Sequence, residues 1–184
     1  MFIVMGLPGV GKSTVLQAVV DKRKDYRILN YGTLMFDIAK RKFEISQRDS
    51  LRKLDHIEQK AIQAEVGNDL AKMSGKIILD THCSISTPNG YLVGLPDELL
   101  KKLKNNVELL VYINAPIREI ISRRSKDATR VRDADSEKAL KDHDDYNIRL
   151  LHHYKEVSGA EYKIISNRDG GLEKAQQELL SFLK

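Results

Sequence analysis

The chain has 184 residues, 41% hydrophobic and 31% charged, which is enough for one well-buried α/β core and short for two domains. With 31 basic and 26 acidic residues the net charge is +5, a balance that suits polyanionic small molecules such as nucleotides as well as nucleic acid. A single cysteine, Cys83, excludes an internal disulfide and a zinc site of several thiolates, and no apolar run approaches the roughly 20 residues of a membrane span.

Phe2-Ile3-Val4-Met5 is a short apolar run that predicts a strand buried on both faces, too short for the apolar region of a signal peptide, so a cytoplasmic protein is expected. After a glycine-rich stretch, Val15, Leu16, Val19 and Val20 recur at helical spacing. A second strand is predicted over Arg27–Tyr31, ending at Gly32, with Thr33 opening a helix. Asp49 to Ser74 reads as one long amphipathic helix, stopped by Ser74-Gly75. Lys76–Asp80 is a third strand, followed by the turn-rich segment THCSISTPNGYLVGLP. A short helix from Pro96-Asp97 leads to a fourth strand, VELLVYINA, over residues 107–115. Pro116 opens a helix that the polar stretch Ser125–Ser136 interrupts; the pattern resumes from Ala139 and stops at Gly159. Tyr162–Ser166 is a fifth strand and Leu172–Leu183 a last helix.

Strands alternating with helices predict an α/β fold: a five-stranded parallel sheet with helices on both faces, a three-layer sandwich in one domain spanning 1–184. Ligands in such sheets bind beyond the carboxyl ends of the strands, here after Met5, Tyr31, Leu79 and Ala115.

Gly6, Gly11, Lys12 and Ser13 in GLPGVGKST fit the P-loop pattern G-x-x-x-x-G-K-[ST] between a strand and a helix. In that arrangement the backbone amides of Gly6, Leu7, Pro8, Gly9, Val10, Gly11, Lys12, Ser13 and Thr14, proline excepted, can wrap a phosphate chain, and the helix N-terminus faces the anion. Lys12 reaches the β- and γ-phosphates and Ser13 offers a hydroxyl to Mg²⁺. Asp80, after the buried run Ile77-Ile78-Leu79, is the second candidate for the metal, through water.

The phosphate chemistry has three candidates. A GTPase requires N-K-x-D, which is absent, and D-x-x-G, whereas Asp80 is followed by Thr81, His82 and Cys83. An ATPase acting with nucleic acid, or an assembly factor, is compatible with the charge, although no oligonucleotide-binding module is evident. A small-molecule phosphotransferase explains the arginines best. Transfer from ATP to a phosphorylated acceptor brings two anions together, and cations must surround the transferring group while water is kept out. Arg123, Arg124, Arg130 and Arg132 flank the break at about 125–136, where a short lid would carry them; Asp133 either orients them or caps the next helix. Arg52 is placed to grip the acceptor phosphate in a bidentate fashion. His152-His153 projects to different helix faces and reads as surface, and Cys83 as structural. His82, Tyr31 and Tyr91 fit base contact and packing equally.

GLPGVGKST, NYGTLMFDIAK, RDSLRKLD, ILDTHCSISTPNGYLVGLP, DATRVRD and IISNRDG together resemble the archaeal-type adenylate kinases over nearly the whole chain. The resemblance implies the nucleoside-monophosphate-kinase form of the P-loop fold, the reaction MgATP + AMP = 2 ADP, and a homotrimer. It implies an AMP-binding helical region at about 33–75. By position, Gly32, Thr33 and Arg52 would lie in the AMP site, with His82 to Gly94 walling the AMP base. Arg124, Arg130 and Arg132 would be lid and catalytic arginines beside Lys12, and Asn167-Arg168 would pass the ATP adenine. The sequence lacks the long lid and its cysteine cluster found in bacterial and eukaryotic adenylate kinases. A kinase for another nucleoside monophosphate is therefore the alternative within the same chemistry; nucleic acid and membrane are not expected partners.

Overall fold

The computed structural model describes residues 1–47, 50–51, 54–87, 89–126 and 136–184. Strand β1 (Phe2–Met5) leads through the glycine loop into helix α1 (Lys12–Lys22). Strand β2 (Tyr26–Asn30), helices α2 (Tyr31–Phe43) and α3 (His56–Lys72) and strand β3 (Lys76–Asp80) follow. Next come strands β4 (Ser84–Thr87) and β5 (Gly90–Val93), helix α4 (Asp97–Lys102), strand β6 (Leu109–Asn114) and helix α5 (Ile117–Lys126). Helix α6 (Glu137–Ser158), strand β7 (Tyr162–Ser166) and helix α7 (Leu172–Phe182) complete the order.

The main sheet has the five parallel strands expected from the alternation of elements, and their order is β2-β3-β1-β6-β7. β1 lies at the centre, with Phe2 beside Ile78 on one side and Met5 beside Tyr112 on the other. Its four residues are buried because both sheet faces are covered. The period of two divides them: Ile3 and Met5 join Leu79, Leu110 and Tyr112 under α2, α3, α4 and α6, whereas Phe2 and Val4 join Ile78, Val111 and Ile113 under α1, α5 and α7.

Several boundaries differ from the sequence reading, and three of the differences have a clear local reason. The second strand ends at Asn30, one residue early, because the Asn30 side chain caps α2 by accepting from the Thr33 amide at 3.1 Å; Tyr31 and Gly32 are therefore helical. The helix expected from Asp49 starts at His56, where Asp55 and Glu58 form a reciprocal capping box. The segment after Asp80 is a hairpin, with Thr87 paired to Gly90 and Ser84 to Val93.

Candidate active site

The phosphate loop runs from the end of β1 to the start of α1. Gly9 and Gly11 have φ of 97° and 82°, the left-handed region that glycine enters without a Cβ penalty. A Cβ on Gly11 would also lie 2.5 Å from Asn167 Nδ2. Among the described residues no side chain caps α1, so its first amides are left facing the loop, the arrangement that receives an anion.

Lys12 Nζ forms an ion pair with Asp80 Oδ1, both side chains being about nine-tenths buried, at 10% and 12% exposure. The structure thus joins the two strongest sequence candidates. β3 carries Asp80 beside β1, and the Thr81 amide continues that ladder by donating to the Val4 carbonyl at 3.1 Å. Asn30 Nδ2 donates to Asp80 Oδ2 at 2.9 Å while Asn30 Oδ1 accepts from the Thr33 amide and hydroxyl at 3.1 and 3.2 Å. One asparagine therefore links the metal-candidate carboxylate to the first turn of α2, where Gly32 and Thr33 stand. The sequence reading missed Asn30. Its signal was available: an Asn three residues before Thr33 at a strand-to-helix junction is an N-cap.

The outer wall of the loop is held by α5 and the β7–α7 turn. Arg124 Nε donates to the Pro8 carbonyl at 2.8 Å. Asn167 Nδ2 donates to the Val10 carbonyl at 2.7 Å, and Asn167 is 6% exposed. Asn167 thus meets the loop with its side chain, a contact the sequence reading, which set Asn167 beside the adenine, did not include. Arg123 donates to the Val10 and Asn167 carbonyls at 3.2 and 2.9 Å and pairs with Glu119 at 3.0 Å and Asp169 at 2.6 Å. Those contacts make it a brace of the loop within α5, where the sequence reading had grouped it with the lid cations. Gly11, Thr14, Arg123, Asn167, Arg168, Asp169, Gly170 and Leu172 line an open cleft of about 260 Å³ beside the loop. Arg168 and Ser13 are exposed.

On the other side of Asp80, His82 is exposed and Cys83 is buried. Gly94 closes the neck of the hairpin: its amide donates to the Cys83 carbonyl at 2.8 Å, and a Cβ there would lie 1.9 Å from the His82 carbonyl oxygen. Burial, with the Asp144 charge added, raises the Cys83 pKa far above the ordinary range and favours the thiol over the thiolate. Tyr31 is 4% exposed within the core, and Tyr91 packs on His143 and Tyr146 with ring centroids 4.6 and 4.7 Å away; both are occupied by packing. His153 accompanies Asp97 at 2.8 Å and His152 lies edge-on to Tyr162. Arg52, Arg130, Arg132 and Asp133 lie outside the described residues.

Residues 5–141 match the AAA domain family. An adenylate kinase of Methanocaldococcus jannaschii is 43% identical over 99% of this chain and 97% of its own length. Those of Thermoplasma acidophilum and Thermococcus kodakarensis are 39% and 40% identical, each over 98% of this chain and over 97% and 93% of their own. Among solved structures, the shikimate kinase of Bacteroides thetaiotaomicron superposes with a TM-score of 0.59 at 15% identity, covering 98% of this chain and 96% of that one. The shikimate kinase of Acinetobacter baumannii in complex with shikimate gives 0.59 at 20% identity, covering 97% and 89%. At those identities the structural likeness carries the P-loop kinase fold alone. The sequence likeness runs over nearly the whole of both chains, and on it the chain belongs to the adenylate kinase family of the archaea.

Proposed function

We propose that this adenylate kinase transfers a phosphoryl group reversibly between MgATP and AMP, with the donor phosphates in the loop 6–14 and the acceptor across Asp80, against Gly32, Thr33 and the segment 82–94. The observation that carries the reading is the Lys12–Asp80 ion pair beside an uncapped helix N-terminus, with Asn30 relaying the same carboxylate to α2. A cation and a row of amides converge there on space a phosphate chain would enter.

Lys12 exchanges Asp80 for the β- and γ-phosphates as the nucleotide enters. The Ser13 hydroxyl and the Asp80 carboxylate are hard oxygen donors and fit Mg²⁺, which when bound neutralises charge on the β- and γ-phosphate oxygens. Asn167 and Arg168 border the cleft proposed for the adenine, with Asn167 and Arg123 holding the loop from outside. An AMP phosphate oxygen attacks the γ-phosphorus in line as the bond to the ADP leaving group breaks. That oxygen is already anionic, so no strong general base is needed. Positioning and charge neutralisation by Lys12, Arg124, Arg130 and Arg132 supply the rate. Arg52 grips the AMP phosphate, and His82 and Gly94 belong to the wall against its base.

The test is ADP formation from MgATP with AMP, GMP, CMP, UMP or water as acceptor. Rapid formation with AMP alone, lowered by about 10²- to 10³-fold in Lys12→Ala, is expected. Equal slow formation in every tube would replace the kinase reading with an ATPase, and preference for another monophosphate would change the acceptor. No helix among the described residues is long and apolar enough to cross a membrane, and the reaction is expected in the cytoplasm. The homotrimer proposed from the family resemblance would sediment as three 20.9 kDa chains.

A further inference from the structure

A buried chain of polar side chains lies under the sheet face opposite α1, and the proposed chemistry uses none of it. Ser84 begins β4, Tyr112 lies in β6, and His143, Asp144 and Asn147 lie on α6. Ser84, Tyr112, His143 and Asn147 are at most 5% exposed. Their contacts are Ser84 Oγ to Asn147 Oδ1 at 2.5 Å, Asn147 Nδ2 to Tyr112 Oη at 3.2 Å, Tyr112 Oη to Asp144 Oδ1 at 2.7 Å, and His143 Nε2 to Ser84 Oγ at 2.9 Å.

With Asp144 ionised, the direction of every bond follows. Asn147 Oδ1 and the Asp144 carboxylate only accept, so the single hydroxyl protons of Ser84 and Tyr112 are committed to them. Ser84 Oγ must then accept, which places a proton on His143 Nε2, and Asn147 Nδ2 must donate to Tyr112. Burial keeps the Tyr112 hydroxyl protonated and able to donate. A second contact set reinforces the first. The Cys83 thiol donates to the Asn147 carbonyl at 3.4 Å, Tyr154 Oη donates to the Cys83 carbonyl at 2.8 Å, and the Leu95 amide donates to Tyr154 Oη at 3.0 Å. Both ends of the hairpin neck are thereby attached to α6.

The location is what gives the chain a consequence. Tyr112 sits beside Met5, the residue before the phosphate loop. Ser84 opens the hairpin four residues after Asp80. Tyr91 on the second hairpin strand stacks on His143 at 4.6 Å and an interplanar angle of 14°. A two-stranded hairpin is marginal alone, so its height over the main sheet depends on what it is fastened to.

We propose that Ser84, Asn147, Tyr112 and Asp144, with His143 on Ser84, form a positioning device that sets the acceptor wall 82–94 relative to the strand pair carrying the phosphate loop. The proposal rests on the reading that the acceptor lies against that wall. In-line transfer is sensitive to spacing at the ångström level, so loosening the wall misplaces the acceptor while the donor stays seated.

The test compares Ser84→Ala, Tyr112→Phe and the double variant with the unaltered chain. Each substitution deletes one hydroxyl with little change of shape. Rates are measured with AMP and ATP varied separately, thermal midpoints are recorded, and amide exchange is followed in the nucleotide-free protein. Each single variant is expected to lower kcat/KM for AMP by about tenfold or more, with KM for ATP changed less than about twofold. The double variant should be little worse than the singles, because both act through Asn147. Exchange should quicken together in residues 84–87, 89–93 and 143–147. Leu179→Ala, in the core on the other sheet face, provides a matched loss of thermal midpoint without that split. Equal shifts for both nucleotides that track the thermal midpoint as in Leu179→Ala would overturn the proposal, as would additive losses or exchange altered only beside the substitution. The unaltered chain separates two failures. No AMP turnover there refutes the acceptor reading and the proposal with it, whereas normal turnover with an unsplit ratio in the variants refutes the proposal alone.

Discussion

At the scale of single residues, the site is built from side chains whose tasks the geometry separates. Lys12 lies within the phosphate loop, where Asp80 holds it in a nearly dry environment. Lys12→Ala should lower kcat by about 10²- to 10³-fold, the usual cost of removing one preorganised transition-state contact, with far-UV circular dichroism unchanged. Arg123 has a different task. Its guanidinium holds two backbone carbonyls and two carboxylates at once, a geometry that the single ammonium of lysine cannot reproduce. Arg123→Lys should raise KM for ATP several-fold and leave KM for AMP unchanged, because the brace lies on the donor side. Steady-state rates with each nucleotide varied in turn check this, and an equal rise for both would count against a brace confined to the donor side. The place of Lys12 was legible in the sequence because it follows from position in a local motif. That of Arg123 was not, since its partners at Val10 and Asn167 are 113 and 44 residues away.

At the scale of elements, caps decide where helices begin. The Asp55 side chain accepts from the Glu58 amide at 2.7 Å, and Glu58 Oε2 accepts from the Asp55 amide at 3.0 Å. Asp55→Ala removes half of this box and should lower unfolding free energy by about 1 kcal/mol, read from the urea midpoint at constant slope. Ser136 begins α6 in the same way, accepting from the Ala139 amide at 3.1 Å. The amphipathic spacing from Asp49 onward extended the expected helix because apolar periodicity does not register a cap. Asp55 followed three residues later by Glu58 was the readable sign. The hairpin after Asp80 also had a sign, the turn-forming residues Pro-Asn-Gly in the middle of the segment that follows it. Its docking on α6 through Ser84 and Tyr91 had none, since those contacts join segments more than fifty residues apart in the chain.

At the scale of the whole molecule, a charge cluster ties the start of the sheet to the last residues. Asp25 accepts from Arg23 at 2.9 and 2.8 Å and from Lys76 at 2.9 Å; Lys76 also donates to the Lys184 carbonyl at 2.7 Å, and Arg23 to that of Leu183 at 3.3 Å. Hydrogen bonds from Arg23 first and Lys76 second depress the Asp25 pKa. A carboxyl that is more acidic folded than unfolded contributes stability above its unfolded value near 4, and that contribution disappears as pH falls toward the folded value. Thermal midpoints measured from pH 6 down to 2 should therefore fall less steeply in Asp25→Asn than in the unaltered chain. Asp144 works in the other direction: burial raises its pKa against the opposing Tyr112 hydrogen bond, so protonation favours the folded state.

Sequence alone determined the parallel sheet, the five main strands, the phosphate loop and Asp80, since each is written in spacings of a few residues: period two in strands, period 3.6 in helices, and glycines where a backbone must approach an anion. It also carried the family, through segments spread along the chain. Only the tertiary structure decided that Asn30 relays Asp80 to α2, that Asn167 meets the loop with its side chain, and that Arg123 braces the loop. Only it decided that a hydrogen-bonded chain fastens the hairpin to α6. Those arrangements depend on groups brought together from up to 157 residues apart, and a residue's type does not name a partner that only the packing of the sheet's two faces delivers.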